Sequence, residues 1–216
     1  VQTCALPIYA GANHGFFGNA CKTQFRLEPV LIEANPELAI ALRNSQMRVV
    51  ECALGQSNGS TIFHLGNNDE SSSVRKPNCA NGHLQIKGEV EVRVRNLPTI
   101  ILEEELSDIV LVKLDIEGAE IDVLQGIAPT ASKISPQWTV EFHDDPEFGL
   151  CSKAEVDSII YSMKQNGFSV LIRNWPSRTN VLFVDRKQLK ITAFKWLFVK
   201  LRYQVIAFLW RKFRGL

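Results

Sequence analysis

At 216 residues, 45% of them hydrophobic, the chain is long enough for one domain with a sizeable core and too apolar for a disordered one. Its formal net charge of +1 hides a division: residues 186–216 carry nine Lys/Arg and no Asp/Glu, leaving 15 basic against 23 acidic side chains, a net of −8, in the first 185. An acidic body with a basic tail argues against a nucleic-acid binder, whose positive charge should line the working face.

Residues 1–8, VQTCALPI, have no signal-peptide logic, with neither a basic start nor a long apolar region. They match the in-frame translation of a sequencing-library adapter, GTT CAG ACG TGT GCT CTT CCG ATC, whose next base, T, would turn an Asp codon at position 9 into the Tyr codon found there. The segment is therefore expected to be a foreign scar. It would leave residues 9–185 as the main domain, truncated in its first strand, and 186–216 as a tail.

Gly11-Ala12-Asn13-His14-Gly15 forms a turn that lets the main chain approach a ligand before a helix begins, since Gly and Asn tolerate left-handed backbone. Val30–Ile32 predicts a short strand ending in Glu33. That carboxylate lies about twenty residues past the glycines, the spacing at which an acidic side chain takes ribose hydroxyls in Rossmann-type sites. Asn35-Pro36 starts a helix to about Asn44. Val49–Ala53 reads as a third strand, and Thr61–Leu65 with Val90–Leu97 as an added strand pair. Gly66–Gly88 between them is polar, as a mobile loop or a lid would be. Glu103–Leu106 is expected to be helical.

The centre of the chain is Ile109–Leu114, an apolar run interrupted only by Lys113, as in a strand covered on both faces. Asp115, Glu117 and Glu120 follow around Gly118, and Ile121, Val123, Leu124 and Ile127 predict a helix ending near Gly126. In open α/β sheets ligands sit beyond the carboxyl ends of strands, which puts Asp115 and Glu117 at the expected site, whereas Glu117 and Glu120 could instead merely suit the helix dipole. Trp138–Phe142 is a further strand, with His143-Asp144 after it. Ser152 caps a helix to about Asn166, and 168–173 with 180–184 form an edge hairpin.

With these elements in place the chain resembles the FkbM family of S-adenosylmethionine-dependent methyltransferases. The matching stretches are GANHGFF (11–17), IEANPEL (32–38), VKLDIEGAEIDVLQGI (112–127), VEFH (140–143) and NVLFVD (180–185). Tyr9 departs from the acidic residue expected there, and Ala34 from the usual Pro. The resemblance implies a class I methyltransferase fold: a Rossmann-like α/β architecture with a mostly parallel seven-stranded sheet, helices on both faces and a C-terminal antiparallel hairpin. It also implies S-adenosylmethionine as cofactor and O-methylation of a hydroxyl on a sugar, glycan or other natural-product acceptor.

On that resemblance Gly11, Asn13 and Gly15 cradle the methionine end, Glu33 holds the ribose, and Asp115 with Glu117 stands at the reacting centre. His143 is the candidate base. No metal is expected; a divalent cation gathered by Asp115, Glu117, Glu141 and His143 is the lesser alternative. An NAD-dependent oxidoreductase could use the same loop, but Gly11–Gly15 lacks the three-glycine fingerprint. A non-catalytic binding domain could keep the same fold.

The tail alternates Phe194, Trp196, Leu197, Phe198, Val199 and Leu201 with Lys195, Lys200 and Arg202, then runs through Val205–Trp210 to Arg211, Lys212 and Arg214. Charges at its middle disfavour a spanning helix and suit peripheral membrane contact through 194–214. A last helix packed on the domain or on a second subunit is the alternative. Five cysteines without CxxC or zinc spacing suit reduced thiols in the cytoplasm.

Overall fold

The computed structural model describes residues 5–67, 72–76, 85–144, 150–172 and 180–202. Along the first half come Leu6–Ala10 (β1), Phe16–Phe25 (α1), Val30–Glu33 (β2), Pro36–Asn44 (α2), Arg48–Glu51 (β3), Ala53–Leu54 (β4), Gly59–Gly66 (β5) and Ile86–Arg95 (β6). Then follow Leu97–Glu103 (α3), Ile109–Leu114 (β7), Glu120–Ile127 (α4), Ala131–Ile134 (α5), Gln137–Glu141 (β8), Lys153–Gln165 (α6), Ser169–Ile172 (β9) and Asn180–Val184 (β10). A last helix, α7, covers 193–202.

Seven strands form one sheet in the order β3-β2-β1-β7-β8-β10-β9, parallel except for β10, which runs antiparallel to both neighbours. The apolar runs are continuous because both faces are covered. Ile8, Ala10, Val30 and Ile32 face the layer of α3, α4 and α6, while Tyr9 and Leu31, one residue out of step, face Leu42 of α2 and Phe17 of α1. A small second sheet, β4-β6-β5, supplies the added strand pair.

The chain winds outward from β1 to β3 on one side and from β7 onward on the other, so the winding reverses between β1 and β7. At such a point the connections after two adjacent strands diverge and leave a crevice at their carboxyl ends. Ala10 and Leu114 are paired there, with the Asp115 N–H donating to the Ala10 carbonyl at 3.1 Å.

Four details depart from the sequence-based expectation. With residues 1–8 set aside as foreign, the sheet would lack its first strand, yet Leu6–Ala10 fills that central place and pairs with β2 and β7. Pro7 has no N–H for the ladder, and the register shifts between Leu6 and Pro7, the kind of irregularity at which proline is tolerated in a sheet.

The helix expected at 103–106 lies earlier, at Leu97–Glu103, because Asn96 caps it, accepting from Thr99 N–H, and Pro98 occupies its first turn. The strand expected over 49–53 is divided at Cys52, with Ala53–Leu54 joining the small sheet. Finally, α4 passes through Gly126 to Ile127 and continues into a 3₁₀ turn at Ala128–Thr130. Much of the polar stretch 66–88, and residues 173–179, the end of the expected strand 168–173 and the hairpin connection after it, lie outside the described residues.

Candidate active site

The glycine turn sits at the carboxyl end of β1. Gly11 (φ 78°), Asn13 (φ 50°) and Gly15 (φ 76°) all take left-handed backbone, which makes the chain turn sharply enough to enter α1 at once. Gly11 is the tightest point: a Cβ built there would lie 1.7 Å from the Asp115 carbonyl oxygen. The turn is fastened to β2 by the Gly11 N–H, which donates to the Ile32 carbonyl at 3.0 Å.

Glu33 ends β2 and is 5% exposed. One carboxylate oxygen accepts the Asn13 N–H at 2.7 Å and the other the Asn35 N–H at 2.8 Å. Burial raises its pKa, and these backbone donors offset part of that rise. The carboxylate is thus held between the glycine turn and the start of α2, and each oxygen keeps acceptor capacity for a further donor. Removing it should cost about 1.5–3 kcal/mol of cofactor affinity, the worth of a charge-assisted contact. Calorimetry of Glu33→Ala with S-adenosylhomocysteine measures this, and unchanged affinity would remove Glu33 from the cofactor site.

Across the crevice, Asp115 leaves β7. Lys113 Nζ lies 2.5 Å from its Oδ2, and the Tyr9 hydroxyl donates to the same oxygen at 3.4 Å. The Lys113 ammonium also stands 4.4 Å from the centre of the Tyr9 ring. Tyr9 thus fills the space beside Asp115 where the family resemblance calls for an acid; burial, then the Asp115 charge, raises its pKa.

Glu117 takes a left-handed φ of 54°, an uncommon backbone state for a non-glycine residue and one that often marks a functional constraint. The Ser73 hydroxyl donates to its carbonyl at 2.6 Å. Its side-chain Oε1 lies 3.3 Å from His143 Nε2, and Asp115 Oδ1 lies 3.9 Å from the same nitrogen. On the other side of the ring, Glu120 Oε1 is 3.5 Å from Nδ1.

Glu120 is fully buried and accepts the Ile116 N–H at 2.7 Å and the Gly118 N–H at 2.9 Å. It therefore pins the turn that presents Asp115 and Glu117. Its proximity to the helix start matters less than this bracing, so the dipole reading of the sequence misses its main contacts. Gly118 is equally constrained, with φ 96° and Leu150 against the place of a Cβ.

The protonation states follow from these neighbours. Burial alone would lower the His143 pKa; the facing Glu117 and Glu120 carboxylates overcome it and push it up to about 11. A proton held this firmly on the imidazole weighs against the base duty expected from sequence. Burial pushes the Glu117 carboxyl above its ordinary range, only partly offset by the His143 hydrogen bond. Glu141 is raised in the same way, by burial and then by Asp115.

Ligand atoms of Asp115, Glu117 and His143 lie within 4.8 Å of one another, a spacing that a cation could bridge. Yet Lys113 and the charged His143 already bring two positive charges to these carboxylates. Sequence reasoning missed Lys113 as a functional group, although a lysine interrupting a buried apolar strand was the available signal. Ser73 and Arg75, which donates to the Leu150 carbonyl at 2.7 Å and to Asp122 at 3.0 Å, carried no such signal.

A mostly parallel seven-stranded sheet in this strand order, with its one antiparallel strand near the C-terminal edge, defines the class I methyltransferase fold. The Methyltransferase FkbM domain matches residues 10–170, and the chain belongs to this family of S-adenosylmethionine-dependent methyltransferases. The 2-O-methyltransferase NoeI of Sinorhizobium fredii (strain NBRC 101917 / NGR234) is 31% identical over 116 residues, covering 47% of this chain and 48% of NoeI. The chain thus spans about half the length of that curated relative. Methyltransferase FkbM from Methylobacillus flagellatus KT superposes with a TM-score of 0.51 at 17% identity, over 84% of this chain and 44% of that one, which shows a shared fold.

The family's cofactor is S-adenosylmethionine, and the residues present fit it: the left-handed turn would take the methionine end, and the fastened Glu33 carboxylate, with spare acceptor capacity, would take the ribose. The oxidoreductase alternative falls with the family assignment.

Proposed function

We propose that the chain transfers a methyl group to a hydroxyl of a sugar, glycan or related natural-product acceptor. The observation that carries this reading is the meeting of Asp115, Glu117 and His143 beside the Gly11 turn, at the reversal point of the sheet. The 2-O-methyltransferase name of NoeI supports oxygen as the atom methylated.

S-adenosylmethionine supplies an electrophilic methyl on a sulfonium, so most of the rate enhancement comes from holding the acceptor oxygen in line with it. In this reading the Asp115 carboxylate, steadied by Lys113, accepts a hydrogen bond from a hydroxyl next to the reacting one on the acceptor and so aims the reacting oxygen. Glu117 takes the hydroxyl proton as the new carbon–oxygen bond forms and the carbon–sulfur bond breaks. His143, held between Glu117 and Glu120, keeps the Glu117 side chain in place. Its positive charge also limits the repulsion among the carboxylates.

Asp115→Asn should lower kcat by about 100-fold, the scale of a misaimed nucleophile, while leaving S-adenosylhomocysteine affinity nearly unchanged. Equal losses in both would make Asp115 a cofactor-site residue. Release of S-adenosylhomocysteine in the presence of a panel of glycosides tests the reaction itself. Binding without release on any sugar hydroxyl would favour the non-catalytic reading.

A further inference from the structure

We infer that α7 is an interfacial anchor that lies on an anionic lipid surface. The helix is capped by the residue just before it, Thr192, whose hydroxyl accepts the Lys195 N–H at 3.3 Å. Its contact with the domain is made by Trp196, 7% exposed, which packs with Leu171 of β9 and Val184 of β10, and against Leu182, Leu189 and Ile191. The guanidinium of Arg186 and the ammonium of Lys200 each lie 5.9 Å from the Trp196 ring centre.

The opposite face is apolar and open. Phe194, Leu197, Phe198 and Leu201 recur at i, i+3, i+4 and i+7, so at 3.6 residues per turn they form one stripe about 100° wide. They are 80%, 54%, 61% and 52% exposed. On the same wheel Trp196 points to the far side, Lys195 and Arg202 border one edge of the stripe, and Lys200 borders the other. Packing on its own domain, one fate expected for this tail, is therefore used by Trp196 and not by the stripe.

Charge selects the occupant. Residues 186–216 hold nine Lys/Arg and no Asp/Glu, and the sequence past the described residues keeps the theme, with Arg211, Lys212 and Arg214 after an apolar run. Two copies meeting stripe to stripe would bring their bordering Lys and Arg residues together, with no acid from the segment to offset them. A bilayer bearing anionic headgroups takes both features at once: the stripe enters the headgroup–acyl boundary while the bordering cations stay among the phosphates. No helix among the described residues is long and apolar enough to cross a membrane, and Lys200 and Arg202, charged near the middle of the segment, suit a helix lying along the surface.

The test is sedimentation of the full chain with phosphatidylglycerol–phosphatidylcholine vesicles and with phosphatidylcholine alone. The expected result is pelleting with the anionic vesicles, weakened by salt. The double variant Lys195→Gln/Arg202→Gln should bind about 25-fold more weakly, roughly fivefold for each charge removed. Phe198→Asp should abolish pelleting. Because Phe198 is exposed, that variant should keep the circular dichroism and S-adenosylhomocysteine affinity of the parent, which excludes misfolding as the cause. Wild-type protein remaining in the supernatant, or pelleting that Phe198→Asp leaves unchanged, would overturn the anchor. So would a lipid-free dimer dissolved by Phe198→Asp, which would assign the stripe to a second copy.

Discussion

Glu117→Gln is expected to reduce turnover by roughly 10²–10⁴-fold, the usual contribution of a positioned general base. Glutamine keeps the shape of the side chain and can still meet His143, but it cannot take a proton. The pH dependence separates this role from simple packing. Glu117 works as a base only when ionised, and burial holds its pKa above the ordinary carboxylate range. In the parent enzyme kcat/KM should therefore fall as pH drops through that raised value, and the limb should disappear in Glu117→Gln. His143 adds no limb near 6.5, because its carboxylate neighbours keep it charged up to about 11. An acid limb that survives the substitution unchanged would move the base elsewhere. With Lys113 and His143 supplying positive charge to the cluster, a chelator should leave the rate intact. A loss restored by magnesium would instead make Asp115, Glu117 and His143 its ligands.

The parts legible in the sequence were those whose physics is local. Ile109–Leu114 announced a doubly covered strand through its continuous apolar run, and Asn35-Pro36 and Ser152 announced helix starts through cap chemistry. Ser152 does cap α6, and Glu155 completes a capping box with it. Twenty residues between the glycine turn and Glu33 suggested a cofactor site, and the two meet through the Asn13 N–H.

What stayed hidden depends on distant pairs. The state of His143 is set by Glu117 and Glu120, more than twenty positions earlier, so the imidazole taken alone keeps its ordinary titration range and looks like a base. The bracing role of Glu120 needs the turn at Ile116–Gly118 to exist before its two backbone donors converge. Central strand β1 was set aside because residues 1–8 match a sequencing-library adapter. Sheet position prevailed there: Ile8 and Ala10, both fully buried, complete the contact between β2 and β7.

Gly11→Ala should damage both stability and cofactor binding, and three glycines separate the causes. Gly59 lies in open space, with nothing within 4 Å of a built Cβ and no left-handed φ, so Gly59→Ala should change stability by less than about 1 kcal/mol. Gly167 has φ 93° but open space around it, so Gly167→Ala isolates the backbone penalty of about 1–3 kcal/mol. Gly11 combines φ 78° with a Cβ position 1.7 Å from the Asp115 carbonyl oxygen, a backbone atom that cannot rotate aside. Strain and overpacking together should cost about 2–6 kcal/mol, or roughly 5–20 °C in Tm for a chain of this size. Any relief must push the glycine turn away from the end of β7, which parts the Glu33 side of the crevice from Asp115. S-adenosylhomocysteine affinity should then fall together with Tm in Gly11→Ala, while Gly167→Ala, on the loop before β9, loses Tm alone. Thermal melts and calorimetry on the three variants read this directly. Parent-like binding by Gly11→Ala would mean that the turn yields without disturbing the cofactor, and would remove it from the site.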